Sequence, residues 1–251
     1  MVRGYLPVRW RNMLLPDGAM EIIFNLGDAQ KLCARDDFTR HTTFRKSWIS
    51  GERTTPIVID EVGYVDLFGI RLRPGGAWRF LGIPLREFTD QVVELDSILG
   101  DEVRNLRDQL GECADDDARF DLLETWLLDR AHSHTPPTRS VSYALRLIWD
   151  DPSKARIRSI AEDIGISHKH LLREFDRCVG LRPKVYARLC GFQRVIQSVA
   201  QRTRVDWAST AAKCGYYDQA HLIREFHSFS GFTPVNYLVK RGPFLNYLEL
   251  T

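Results

Sequence analysis

Two short stretches place hydrogen-bond donors where a polyanion could meet them: "SHKHLLREF" at 167–175 and "DQAHLIREF" at 218–226. In the first, Leu171 and Phe175 lie four residues apart, as do Leu222 and Phe226 in the second; that spacing marks the inward stripe of an amphipathic helix. The opposite face then carries Lys169 and Arg173, or Gln219 and Arg224. Arginine and lysine pair with guanine edges in a major groove and glutamine with adenine, so the chemistry is base readout rather than catalysis. Ser167 and Asp218 stand at the helix starts, where a side-chain oxygen accepts from orphan amides. Glu174 and Glu225 would be repelled by phosphates, so each is expected to form an intramolecular ion pair. His170 and His221, next to the buried leucines, are expected to pack with a partly exposed imidazole able to donate to a phosphate.

Other chemistries find little support. The five cysteines (33, 113, 178, 190 and 214) are scattered without a CxxC pair, which argues against a disulfide framework or a zinc module. His41 is alone among the strand-rich residues, too few for a cupin-like metal site. "RLRPGGAWR" (71–79) joins Gly-Gly to Arg71, Arg73 and Arg79 but lacks the G-x-x-x-x-G-K-[ST] pattern, and reads as a turn. Ser-His-Asp and Cys-His arrangements are not recognisable. The expectation is a non-enzyme with neither metal nor cofactor. No apolar run approaches the roughly 18 residues of a membrane span, and "MVRGYLPVRW" lacks the apolar core of a signal peptide. A cytoplasmic location follows as the expectation.

These helices must be held by something, and the rest of the 251 residues divides into two parts. Residues 1–138 hold 17 Lys and Arg against 23 Asp and Glu, a net of −6, whereas residues 139–251 hold 18 against 10, a net of +8. An acidic half joined to a basic half places the polyanion at the C-terminal part. Residues 1–80 read as strands and turns, with "MEIIFNLGD", "SWISGE" and "TPIVIDEVGYVDLFGIRLRPGG" as the clearest runs. From Pro84 the period becomes helical, through "PLREFTDQVVELDSILG", "DEVRNLRDQLGE" and "DARFDLLETWLLDRA". Leu106, Leu110, Leu123, Trp126 and Leu127 there line either a core or a partner-subunit interface. "HSHTPPTRS" (132–140), with solvated His132 and His134, is the best linker, and beyond Ser140 almost everything reads as helix.

The fold class expected is therefore an α+β N-terminal domain, an antiparallel β-barrel or sandwich followed by helices, over residues 1–131. An all-α domain with two helix-turn-helix motifs joined by a long helix would occupy 141–251. The hexamers "HLLREF" and "HLIREF" are the centres of a longer repeat. Ala161 and Gly165 match Ala211 and Gly215 at an offset of 50; His170, Leu171, Arg173, Glu174 and Phe175, then Gly180, Pro183 and Tyr186, match at 51. The extra residue falls in the turn, where length changes are absorbed most readily.

A-x-x-x-G, R-E-F and G-x-x-P-x-x-Y in tandem, bridged by "KVYARLCGFQRVIQSVAQ", resemble the DNA-binding domain of the AraC/XylS family of bacterial transcription regulators over residues 141–240. "GIRLRPGGAWRFLGIP" and the acidic helical segment after it resemble, less specifically, the sensor domains that precede such modules. The resemblance implies a promoter duplex as partner, read by Ser167, His168, Lys169, His170, Arg173, Asp218, Gln219, His221 and Arg224. It also implies a small effector at the N-terminal domain, a homodimer through that domain, and RNA polymerase as a further partner. Two other readings stay open: a DNA-directed enzyme, such as a repair protein with a reactive cysteine, and a DNA-binding dimer without an effector.

Overall fold

The computed structural model describes residues 1–133 and 137–250, the side chains of 132 and 133 excepted. The expected linker lies partly outside the described residues, with His134 and the side chain of His132. Six strands come first: β1 (Val2–Leu14), β2 (Met20–Asn25), β3 (Gln30–Cys33), β4 (His41–Phe44), β5 (Ser47–Ser50) and β6 (Ile57–Leu72). The 16-residue β6 is the spine of a barrel-like antiparallel sheet. Along one edge β1 pairs with it from Val2↔Leu67 to Leu14↔Ile57; along the other, β3 covers Val58–Asp60 and β2 covers Leu67–Leu72. Alternation decides which face is buried: Met20, Ile22 and Phe24 of β2 point inward with Ile49, Phe68 and Leu72.

Past the sheet lie α1 (Trp78–Leu81), a 3-10 turn (Leu85–Phe88), β7 (Val92–Glu94), α2 (Asp96–Leu99), α3 (Asp101–Glu112) and α4 (Asp116–Ser133). The helical period expected from Pro84 is broken here. Asp90 takes φ 56°, and its carboxylate accepts from the Thr54 and Thr55 amides, so the chain turns back. Val92 and Val93 then extend the sheet opposite Ser50 and Ile49, where β-branched side chains are favoured. Leu106, Leu110, Leu123 and Trp126 are buried against the sheet, and Phe24 meets Trp126 edge-on at 6.1 Å. The leucine-rich stripe is core, not a bare interface.

The remaining helices are α5 (Arg139–Asp150), α6 (Ile157–Ile164), α7 (His168–Cys178), α8 (Pro183–Ser198), α9 (Trp207–Lys213), α10 (Gln219–Ser230) and α11 (Pro234–Lys240). One element departs from the all-helical reading beyond Ser140. β8 (Tyr247–Glu249) leaves the C-terminal helices and pairs antiparallel with Asn12–Leu14 of β1. The two parts consequently share one core, in which Met13, Leu15, Cys33 and Val58 cluster with Tyr186, Leu189, Phe192 and Leu248. Polar contacts fasten the same seam. The Gln193 amide donates to the Pro16 carbonyl at 2.7 Å, and the Thr89 hydroxyl to the Gly180 carbonyl at 2.6 Å.

A buried carboxyl in the sheet gives the fold a pH signature. Glu61 is 6% exposed; one of its oxygens accepts from Gln30, and burial with the Asp60 charge adding pushes its pKa up to about 7. A raised carboxyl pKa means the folded state holds the proton longer than the unfolded chain does. Its contribution to stability is therefore full below about pH 4.5 and lost as the pH rises toward about 7. Glu61→Gln should remove that decline, gaining on the unaltered protein by on the order of 2–3 kcal/mol across the window. Urea midpoints of both proteins from pH 4.5 to 7.5 test this; parallel curves would show that Glu61 does not titrate there.

Candidate nucleic-acid interface

Each reading helix is built the same way. Gly165 closes α6 at φ 76° and Gly215 follows α9 at φ 81°, the left-handed backbone that a Cβ disfavours. Ser167 then caps α7, its hydroxyl accepting from the His170 amide at 3.1 Å. Asp218 caps α10, its carboxylate accepting from the His221 amide at 2.6 Å. Leu171, Phe175, Leu222 and Phe226 are all buried; Phe226 lies between Phe192 and Tyr237, at 5.0 and 5.4 Å.

The faces opposite those anchors are bare. Ser167, His168, Lys169 and Arg173 are exposed along α7, as are Asp218, Gln219, Ala220 and Arg224 along α10. Leu172, Ile223, His170 and His221 are half-buried at the edges of these faces. The structure thus gathers the sequence-derived residues into two equivalent surfaces.

The acids beside them are engaged within the protein. Glu174 meets Arg177 one turn on at 2.7 Å, and Glu225 receives two bonds from Arg188 of α8, the shorter at 2.6 Å. Such pairing removes negative charge that would oppose a phosphate. The histidines differ: Arg173 donates to His170 Nδ1 at 2.9 Å, whereas His221 lies edge-on to Tyr216 at 5.3 Å. Arg224 has no side-chain partner among the described residues, which leaves its full donor fork for a ligand.

Sequence reasoning passed over the rim. Arg156 and Arg158 stand exposed at the start of α6, and Arg182 and Lys184 at the start of α8. Unsatisfied amides and basic side chains together favour an anion at a helix N-terminus. The available signal was a basic pair immediately before or within the first helical turn. Four of the five cysteines, in contrast, are poorly placed for thiolate chemistry. Burial raises the thiol pKa of Cys33, Cys178 and Cys214, and pushes that of Cys190 to about 12.

Comparisons with known proteins agree with this geometry. Residues 160–240 match the family described as "Helix-turn-helix domain", and residues 2–94 match "Domain of unknown function (DUF6597)". No curated protein matches the chain. Among solved structures, ToxT from Vibrio cholerae is similar at 12% identity and TM-score 0.49, with 94% of this chain and 96% of that one covered. The C-terminal domain of AraT, a response regulator from Geobacillus stearothermophilus, is 19% identical over 43% of this chain and 89% of its own, at TM-score 0.39. A DNA-binding transcriptional dual regulator from Escherichia coli K-12 is 20% identical over 41% of this chain and 99% of its own, at TM-score 0.35. With its two capped, bare-faced helices inside the matched residues, the chain carries a helix-turn-helix domain over 160–240 behind a DUF6597 domain over 2–94.

Proposed function

We propose that α7 and α10 enter successive major grooves on one side of a promoter duplex, held about one helical turn, roughly 34 Å, apart by α8. The observation that carries this reading is the pairing of two bare polar faces with two fully buried apolar ones. Arg173 and Arg224 supply guanine readout, Gln219 adenine readout, and His168 and Lys169 further donors. His170 and His221 donate to phosphates. Ser167 and Asp218 act through their caps, keeping the first-turn amides aimed at the backbone.

In this reading residues 1–131 form a sensor and dimerisation domain, 132–140 a linker and 141–251 the DNA-binding domain, in a cytoplasmic protein without catalytic activity. A small effector has a place to bind. Leu26, Asp66, Arg107, Asp108, Gly111, Glu112 and Arg119 line a cleft of about 470 Å³ between the sheet and the helices α3 and α4. Its mixed charges suit a polar, zwitterionic molecule. At Cys33, Cys178, Cys190 and Cys214 the reactive-cysteine alternative is disfavoured by the raised thiol pKa values above.

Arg224→Ala should lower specific affinity by about 1–3 kcal/mol and relax preference at one base pair. Gel-shift titration on a duplex selected from a random pool measures both; undiminished discrimination would remove Arg224 from the reading face. Asp218→Ala should cost about 1 kcal/mol of stability in urea unfolding, while Asp218→Ser retains most of it. Identical midpoints for all three proteins would show that the cap contributes nothing. Metabolites that enter the cleft should raise the melting temperature, and Arg107→Ala should abolish the rise. A rise that survives the substitution would place the effector elsewhere.

A further inference from the structure

The C-terminal strand belongs by sequence to the DNA-binding half and by pairing to the sheet. Asn12, Met13 and Leu14 of β1 face Glu249, Leu248 and Tyr247 of β8. The ladder is extended at both ends, by Leu15 N–H donating to the Asn246 carbonyl at 2.9 Å and Leu250 N–H to the Arg11 carbonyl at 2.8 Å. Leu248 is fully buried in the shared core. On its other side β8 bridges to Arg241, whose guanidinium donates to the Val199 and Arg202 carbonyls where α8 ends. The Tyr237 hydroxyl of α11 donates to the Leu245 carbonyl at 2.9 Å, and the same buried ring packs on Phe226, the anchor of α10. Gln193 of α8 bonds both flanks of the pairing, through the Pro16 carbonyl and the Asn246 side chain at 3.0 Å.

A continuous path of contacts therefore runs from β1 through β8 and Tyr237 to α10. The first helix-turn-helix meets the N-terminal domain by separate contacts, Thr89 on Gly180 and Arg177 stacked 4.6 Å over Trp78. We propose that β8 is a latch by which the N-terminal sheet sets the position of the second recognition helix independently of the first. The latch is closed when both helices read DNA. A displacement of β1 shifts α11 and α10 through it, and leaves α7 to its own contacts. The proposal rests on the DNA-binding reading above.

The test uses the full chain and a duplex it selects from a random pool, together with derivatives scrambled in one half or the other. The half read by α10 is the one whose scrambling costs less in the Arg224→Ala protein than in the unaltered protein. Deleting residues 247–251 should cut the affinity ratio between intact and α10-scrambled duplex about tenfold while leaving the α7 ratio unchanged. Ratios that both persist, or that fall together, overturn the latch. A second variant, Asn12→Cys with Glu249→Cys, joins a cross-strand pair whose spacing in an antiparallel ladder suits a disulfide. Oxidised, it should keep both ratios; loss of the α10 ratio, restored by reductant, would mean that the latch must open to bind and would overturn the proposal. Indifference of the unaltered chain to both scramblings would fell the DNA reading and the latch with it, an outcome distinct from failure of the latch alone.

Discussion

A helix that offers one face to DNA must draw all of its stability from the other. α7 and α10 have 11 and 12 residues, too short to persist alone in water, so caps and buried anchors do the whole of the holding. Truncating an anchor such as Phe226 would cost about 3–5 kcal/mol, against roughly 1 kcal/mol for a cap. Much else in the C-terminal half is arranged to supply that buried side. α8 contributes Phe192, α11 contributes Tyr237, and both are placed by contacts further back. The repetition of Leu, Phe, Gly, Pro and Tyr is the record of that requirement, met twice.

The same economy extends across the two domains. β1 gives Met13, and the turn after it Leu15, to the core that steadies the recognition helices, and β8 gives Leu248 in return. Domains joined in this way do not move as beads on a string. Any shift of the sheet must be absorbed by the Gln193 bridge, the Thr89–Gly180 bond and the β1–β8 ladder. Near the seam, Glu52 is buried beside the charge of Asp17 with neither carboxyl oxygen hydrogen-bonded. Burial pushes its pKa well up, and the neutral form is the one such a site can hold.

The local grammar of the reading helices was legible because it is local. Ser167 and Asp218 as caps, Gly165 at the turn, and the inward Leu and Phe follow from spacing within a dozen residues. Glu174 was readable as an ion-pair former because its partner Arg177 stands three residues on; the partner of Glu225, Arg188, is 37 residues away and was not nameable. The sheet was legible as a class, not as a topology. "DQVVELD" carries a helical period, yet the edge of β5 turns Val92–Glu94 into a strand. "NYLEL" is too short to declare itself, and becomes β8 only because β1 presents an open edge there. In both cases the deciding hydrogen-bond partners are far away in sequence. The stripe of Leu106, Leu110, Leu123 and Trp126 favoured a core only slightly over an interface, since periodicity says which face is apolar and not what covers it.

The division of charge completes the physical picture. The seam between the domains is largely apolar, so it tolerates a net of −6 on residues 1–138 against +8 on residues 139–251 without needing a partner for each charge. Those opposite fields act at longer range. In the DNA-binding reading proposed above, a duplex is drawn to the basic domain and turned from the acidic one, so that the bare faces of α7 and α10 meet it before base contacts form. Within the basic domain Glu174 and Glu225, beside the reading faces, are held by Arg177 and Arg188, which keeps that field positive where it is needed. Arginine therefore has two separate tasks around the reading faces: Arg177 of α7 and Arg188 of α8 neutralise, while Arg224 of α10 has no side-chain partner among the described residues.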